Sequence, residues 1–387
     1  MKFIHLADLH LGKKLNEWNL IEDQKYILDQ ISSLCEQRGV DAVLICGDVY
    51  DKRVPPPDAV ELLDAFLTNL VRQGRQVIMI SGNHDSAERL DFASRLLAAE
   101  GLHISGRFNG KAAVATLNDE YGRVHFWSLP FARLATLSHA MPDADASSYS
   151  AAFCAAVATA RINPDERNVL LAHQFVIGGG SLPLLGGSEQ FFSLPDVGSV
   201  EAVDARAFDA FDYVALGHIH KTQSILRETI RYAGAPLQYH LDEAGQGKSV
   251  PLVVMEGKGS VSVELVPLRP LRSVRHITGP IDILLRQENV IDADDYIYAT
   301  LTDDIPVLDA IAKVRAIYPR TLHLDYQKRN ITSPGALDID EREFRGRSLV
   351  DHFESFYYSL YREQPSEDAL EIVRAAAERV EDNLNEA

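Results

Sequence analysis

The first hundred residues alternate short apolar runs with amphipathic stretches. Phe3, Ile4 and Leu6 read as a buried strand. Ile27, Leu28, Ile31, Leu34 and Cys35 share one face of a helix predicted over 21–38, and Gly39 suits its left-handed end. Residues 42–46 are a second apolar strand. Pro55, Pro56 and Pro57 interrupt the chain, and Asp58 opens a helix to about Gln73. A third strand over 76–81 precedes a helix predicted over 86–99. Three strand–helix units in succession predict a layered α/β domain.

The pattern then loosens. Antiparallel strands are expected around 113–115 and 124–128, a helix over 148–161, and strands over 168–172 and 213–216. A long loop through Gly178, Gly179, Gly180, Gly186 and Gly187 separates the last two, and such loops are usually functional or mobile. Strands over 249–256 and 260–265 are expected to belong to a second sheet. From Arg269-Pro-Leu-Arg272 the character changes. Strands over 274–278, 296–301 and 321–326, with helices near 281–287 and 307–317, predict a small α/β unit. Residues 347–387 read as two helices broken at Pro365. Leu349, Phe353, Phe356 and Leu360 form one apolar stripe on the first, widened by Val350, Tyr357 and Tyr361. Three domains are expected, at 1–268, 269–335 and 336–387.

Bulk properties narrow the class. With 387 residues, 46% hydrophobic and 24% charged, the chain reads as a soluble multidomain protein. No apolar run approaches the roughly 20 residues that span a bilayer, and the first residues read directly as a strand rather than a signal peptide. Three cysteines without metal-type spacing suggest reduced thiols and a cytoplasmic setting. The net charge of −18 argues at first against nucleic acid. Residues 337–387, with 14 acidic against 6 basic side chains, carry −8 of it. Global charge leaves room for a local basic rim, for which Lys13, Lys14, Arg53, Arg89, Arg107, Arg133 and Lys221 are candidates.

The chemistry lies just past the strands. Asp8 and His10, Asp48, Asn83 and His84, His173, and His218 and His220 all follow apolar runs. Singly, each has a bland reading as a capping Asp, a turn Asn or a core His. Together, with no serine or cysteine nucleophile framed nearby, they point to metal binding. Mixed Asp, Asn and imidazole donors without thiolate suit octahedral Mn²⁺ or Fe²⁺ better than structural zinc. The donors suffice for two metals sharing one carboxylate, an arrangement that activates water and clamps a phosphate ester.

Asp8-x-His10, Gly47-Asp48-x-x-Asp51, Gly82-Asn83-His84-Asp85, a lone His173 and Gly217-His218-x-His220 resemble the calcineurin-like metallophosphoesterase signature. The segment Ile4–Gly12, Pro55-Pro56 after Asp51, Ala215–His220 and Arg231-Tyr-Ala-Gly-Ala-Pro236 are similar to the SbcD-type DNA nucleases. The resemblance implies a β-sandwich flanked by helices, a small α/β cap and C-terminal helices. It implies Asp8, His10 and His220 on one metal, Asn83, His173 and His218 on a second, and Asp48 as the bridge. Mn²⁺ is the metal it favours, with Fe²⁺ or Mg²⁺ as alternatives. His84 would act as general acid or transition-state donor, with Asp51 orienting it. Implied partners are DNA ends and hairpins, a second copy of the nuclease subunit, and an SbcC-type ATPase held by Leu349, Phe353, Phe356, Tyr357 and Leu360. A nucleoid-associated, membrane-free location follows. The implied activities are double-strand 3′–5′ exonuclease and single-strand or hairpin endonuclease. The competing reading, a phosphodiesterase or phosphatase for small phosphorylated molecules, shares every ligand.

His5, inside the first strand, reads as structural, and His103, His125 and His139 match no motif. Gly247-Lys248-Ser249 resembles the end of a P-loop, but Asp242 stands where that motif needs glycine. The stretch is expected to be a loop.

Overall fold

The run Ala42–Cys46 is apolar at all five positions because both of its faces are buried. In the computed structural model, which describes residues 1–185, 202–327, 348–361, 364–367, 369–374 and 376, this strand lies parallel between Lys2–Leu6 and Gln76–Ile80. Val43 and Ile45 pack toward the helices Ile21–Arg38 and Pro57–Arg72, among Ile27, Ile31, Phe66 and Leu70. Leu44 and Cys46 face the other way, toward a second sheet. Gly39 ends the first helix with φ 59°, the left-handed cap expected of it.

Leu102–Ser105 extends the first sheet at one edge. At the other edge Lys248–Met255 pairs antiparallel with Lys2–Leu6, and Val261–Leu268 pairs with it in turn. These two strands therefore belong to the first sheet, not the second. Strand partners are chosen by shared burial across the chain, which a local pattern does not encode.

The second sheet runs Gln223–Ile225, Arg227–Tyr232, Tyr213–Gly217, Arg167–His173, Gly122–Leu129, Ala113–Asp119. Its two central strands are parallel, and the helix Tyr149–Ala158 covers its outer face through Phe153 and Ala156. Between the sheets, Phe3 meets Phe126 and Tyr213 edge-on, with centroids 5.7 and 5.5 Å apart. The layers are helix, sheet, sheet, helix, as the resemblance implied. His5 is buried in this interlayer, its Nδ1 3.0 Å from Tyr213 Oη and its Nε2 3.1 Å from the Leu216 carbonyl.

One predicted helix is broken. Residues 86–99 form two short turns, Ala87–Leu90 and Ser94–Leu97. The Asp91 carboxylate turns back to accept from the Gly106 and Arg107 amides at 2.6 and 3.1 Å, and Ala93 takes a left-handed φ of 60°. A side-chain anchor has overridden helix propensity.

Val274–Gly279, Tyr296–Leu301 and Thr321–Tyr326 form a parallel three-stranded sheet with its own apolar cluster around Ile297, Leu301 and Val314. Ala310–Ile317 is its longest helix among the described residues. This small sheet is seated on the start of the first helix. Arg272 pairs with Glu22 and Asp23, and Tyr296 Oη donates to Asp23 at 2.9 Å. Arg320 lies over the Trp18 ring, and Asn16 donates to the Leu322 carbonyl at 2.7 Å. Residues 328–335, the end of the expected small domain, lie outside the described residues.

A second compact unit begins at Lys328, and within it Leu349–Tyr361 is helical. Ser348 and Asp351 cap its start reciprocally. Phe353 and Tyr357 meet with ring centroids 5.7 Å apart and planes tilted by 47°, while Phe356 is 61% exposed. The side chains of Leu349, Leu360 and Tyr361 lie outside the described set.

At the strand starts, the Asp119 carboxylate holds the Met1 ammonium at 2.5 Å and the Arg167 guanidinium at 2.9 Å. Arg167 is 1% exposed and also donates to the Gly122 and Glu256 carbonyls. Arg167 and the amino terminus hold Asp119 well below the usual carboxylate range. Its unfolded value is about 3.9, so its contribution is fully present above that pH and is lost as pH falls. Asp119→Asn should therefore be less stable than wild type at pH 7, and the gap should narrow below about pH 4. Urea denaturation across pH checks this; a constant gap would contradict it.

Candidate metal centre

The parallel strands of the first sheet end at Asp8, Asp48 and Asn83, and those of the second at His173 and His218. The loops past Lys2–Leu6 and Ala42–Cys46 stay paired. Asp8 N donates to the Gly47 carbonyl at 3.0 Å and His10 N to the Asp48 carbonyl at 2.9 Å. His218 N donates to Asp8 Oδ1 at 2.9 Å, joining the two sheets at this edge. Asp8, His10, Asp48 and His218 all adopt positive φ, from 43° to 101°. Such strain in non-glycine residues costs about 1–3 kcal/mol each and persists where surroundings over-determine it. Two glycines let the loops close. A Cβ on Gly47 would strike the His173 ring, and one on Gly82 would strike the Asp48 carboxylate.

The side chains converge. His10 Nε2 and His220 Nε2 are 3.1 Å apart. Asp48 Oδ2 lies 3.6 Å from His10 Nε2 and 3.5 Å from His173 Nε2. Asn83 Oδ1 lies 2.9 Å from His173 Nε2 and 3.1 Å from His218 Nδ1. His173 Nδ1 lies 2.8 Å from the Cys46 carbonyl, so it carries a hydrogen and Nε2 is the atom turned to Asp48 and Asn83. Imidazole nitrogens thus face carboxylate and amide oxygens, and His10 and His220 face each other through Nε2. Oxygen and nitrogen donors aimed at one another with too few hydrogens are what a cation satisfies. Asp8, His10 and His220, and Asp8, Asp48 and His173, each present ligand atoms within 4.8 Å of one another.

The electrostatics agree. Burial pushes Asp8 up to about 6, a rise that His173 and His220 oppose. Burial alone would also raise Asp48, but His173, His10 and His84 outweigh it and hold Asp48 far below its ordinary value. Burial pulls His10 and His218 down to about 4 and about 3. It acts the same way on His173, yet the Asp48 carboxylate wins and lifts that imidazole to about 9. Buried carboxylates here call for positive charge, and a metal supplies more of it than one shared proton.

His84 is brought to the rim, its ring 4.8 Å from that of His10. Its amide donates to Asp48 Oδ1 at 2.8 Å. Its Nδ1 lies 2.9 Å from the carbonyl oxygen of Asp51, not the carboxylate. The Asp51 carboxylate instead sits 3.5 Å from His10 Nδ1 and 2.9 Å from Lys13 Nζ. Main-chain geometry at Asp51 orients His84, while its side chain is turned to His10. Among the basic candidates, Lys13 is against the site and Arg89 lines a groove beyond the Pro57–Arg72 helix.

Several supporting residues were not legible as such. Asp85 accepts from the Gly82, Val49 and Tyr50 amides at 2.8, 3.1 and 2.9 Å, tying the Asp48 loop to the Asn83 loop. Burial and then Asp48 push it up to about 6, against the pull of those three amides. Its place beside His84 in the motif was the available signal. Gln24 donates to the His10 carbonyl at 2.7 Å and accepts from Gly12 N at 3.0 Å. A glutamine on the buried face of a helix was the hint. Glu243 and Lys248 lie behind His220.

The calcineurin-like phosphoesterase family model matches residues 1–222. A second model, described as the type 5 capsule protein repressor C-terminal domain, matches residues 267–359. SbcD of the SbcCD nuclease from Staphylococcus epidermidis is 32% identical over 366 residues, 93% of each chain. The chain belongs to the SbcD branch of the calcineurin-like phosphoesterases. A dimetal phosphatase structure from Danio rerio matches at 10% identity with a TM-score of 0.38, covering 70% of this chain and 98% of that one; so loose a superposition carries no argument. Family membership makes the protein a hydrolase of phosphodiester bonds, in a family that uses two metal ions. No helix among the described residues is long and apolar enough to cross a membrane.

Asp85→Ala should cost at least about 3 kcal/mol, because three buried amides lose a charged acceptor. Urea denaturation of the metal-free protein measures it; a loss under 1 kcal/mol, within about the range of ordinary surface changes, would show that the loops hold without it.

Proposed function

We propose that this chain is the nuclease component of an SbcCD-type complex: a Mn²⁺-dependent DNA double-strand 3′–5′ exonuclease and single-strand or hairpin endonuclease. The observation that carries it is the convergence of Asp8, His10, Asp48, Asn83, His173, His218 and His220 at one sandwich edge, in a chain 32% identical to an SbcD over nearly its whole length.

Asp8, His10 and His220 would hold one ion and Asn83, His173 and His218 the other. Asp48 would serve as the shared carboxylate, a role supported by the near-equal distances of its Oδ2 from His10 and His173. The donor set, rich in oxygen and imidazole and without thiolate, supports Mn²⁺, with Fe²⁺ or Mg²⁺ as alternatives. When bound, the two ions activate water and stabilise charge on the phosphate oxygens. His84 donates Nδ1–H to the Asp51 carbonyl, which leaves Nε2 to carry a proton to the departing 3′ oxygen. Lys13, held between Asp51 and the face of the Tyr239 ring beside the site, would contact a DNA phosphate.

The small unit near 269–335 would act as a cap. It braces the hairpin of Lys14–Leu15 and Trp18–Asn19 that directly follows the His10 loop. The exposed Phe356 and the Phe353–Tyr357 pair support a helix-in-groove anchor for the SbcC-type ATPase. A homodimer is supported by an apolar groove of about 1000 Å³ beside the Pro57–Arg72 helix, where Phe92 is 81% exposed.

The deciding experiment is cleavage of an end-labelled DNA hairpin with Mn²⁺, with and without the partner and ATP. Cleavage is expected, stimulated by the partner, and Asp48→Ala should lower it more than about 100-fold, since metal binding supplies several kcal/mol. Brisk hydrolysis of small phosphodiesters with no DNA cleavage would transfer the assignment to a small-molecule enzyme. Removing residues 347–387 should abolish partner binding in pull-downs yet leave hydrolysis of a model phosphodiester. Loss of both would make that segment part of the catalytic fold.

A further inference from the structure

The Gly247-Lys248-Ser249 stretch, expected to be a loop, instead runs into a strand. Lys248 opens the Lys248–Met255 strand and is only 7% exposed. Its ammonium donates to Glu243 Oε2 and, at 3.2 Å, to the main-chain carbonyl of His220. Glu243 is fully buried in the short turn Leu241–Glu243. Its other oxygen accepts from the Tyr239 amide at 3.4 Å and faces His220 Nδ1 at 3.7 Å. Gln238 holds this turn in place, donating to the Glu243 and Gln246 carbonyls at 3.0 Å each.

We propose that Glu243, clamped by Lys248, is a positioning residue that holds the His220 ring with its hydrogen on Nδ1 and its Nε2 lone pair aimed into the metal centre. The inference rests on the reading of His220 as a metal ligand. Three observations carry it. His220 Nε2 is the ring atom that faces His10 Nε2, so Nδ1 is the atom left for an outer partner. A carboxylate is the outer partner found there, and such partners fix the tautomer and raise ligand basicity. Lys248 grips both ends of the device, the carboxylate and the His220 backbone, so ring and partner cannot drift apart. A buried carboxylate would otherwise be costly, and a buried lysine equally so. The pair therefore makes sense as a unit. Its two members lie over twenty residues beyond the motif that they serve.

Glu243→Gln alone would strand the Lys248 ammonium in the interior and threaten folding. The informative protein is the full chain carrying Glu243→Gln with Lys248→Met, which removes both charges. Mn²⁺ binding to the metal-free protein is measured by calorimetric titration, alongside thermal melting. Histidine-selective ¹⁵N spectra of the Mg²⁺-loaded protein report the His220 tautomer. The double variant should melt near wild type. One of its two Mn²⁺ sites should weaken about 10–100-fold, and the His220 Nδ1–H signal should shift or vanish. Wild-type affinity at both sites would overturn the proposal. So would parallel loss of both sites with a collapse of melting temperature, because that describes a general brace. His220→Ala is the control. If it still binds two Mn²⁺ ions with wild-type affinity, the assignment of His220 as a ligand falls, and the Glu243 proposal falls with it.

Discussion

Two buried carboxylates, Asp8 and Asp48, sit within one edge of a double-layered sheet, and the protein around them is arranged to tolerate that. Both are shut off from bulk solvent, and Asp48 raises the cost of charging Asp8. Asp8 is steadied by the His218 amide from the opposite sheet. Asp48 is steadied by the His84 amide and the nearby His173 and His10 rings. The sandwich brings these groups together, because Phe3, Phe126 and Tyr213 lock the two sheets face to face. Once that interlayer is packed, the strand ends have nowhere else to meet.

Around the carboxylates stands a ring of groups that hold the converging side chains rather than join them. Asp85 ties two loops through three amides, Gln24 holds the His10 loop, the Cys46 carbonyl sets the His173 tautomer, and the Asp51 carbonyl sets that of His84. Four non-glycine residues are kept at positive φ by this scaffolding. A site of this kind is preorganised. The strain and desolvation are met by core packing on folding, so little rearrangement is needed when ions and phosphate arrive.

The small three-stranded unit is continuous with that logic. It does not reach the converging strand ends, yet it fixes the hairpin after His10 through Arg320, Asn16 and the Asp23 network. Asp23 is buried against Arg272 and Tyr296, a polar joint between the small sheet and the first helix. Changes in this unit have a physical route to the His10 loop along the Lys14–Asn19 hairpin.

Much of this was legible in the sequence because the relevant signals are local. An apolar run that ends in Asp, Asn or His shows both a strand and what its end presents, so the layered α/β class and the residue types gathered at the strand ends could be read directly. The family motifs did the same for the cleavage chemistry. Tertiary structure decided what depends on partners distant in the chain. It put Lys248–Met255 beside Lys2–Leu6, broke the helix expected over 86–99 through the reach of Asp91, and turned the Asp51 carboxylate to His10 while its carbonyl took His84. It also converted an apparent P-loop fragment into the cation behind Glu243. Residue type and spacing encode what a strand end can offer; only packing of one sheet on the other decides which atom it faces.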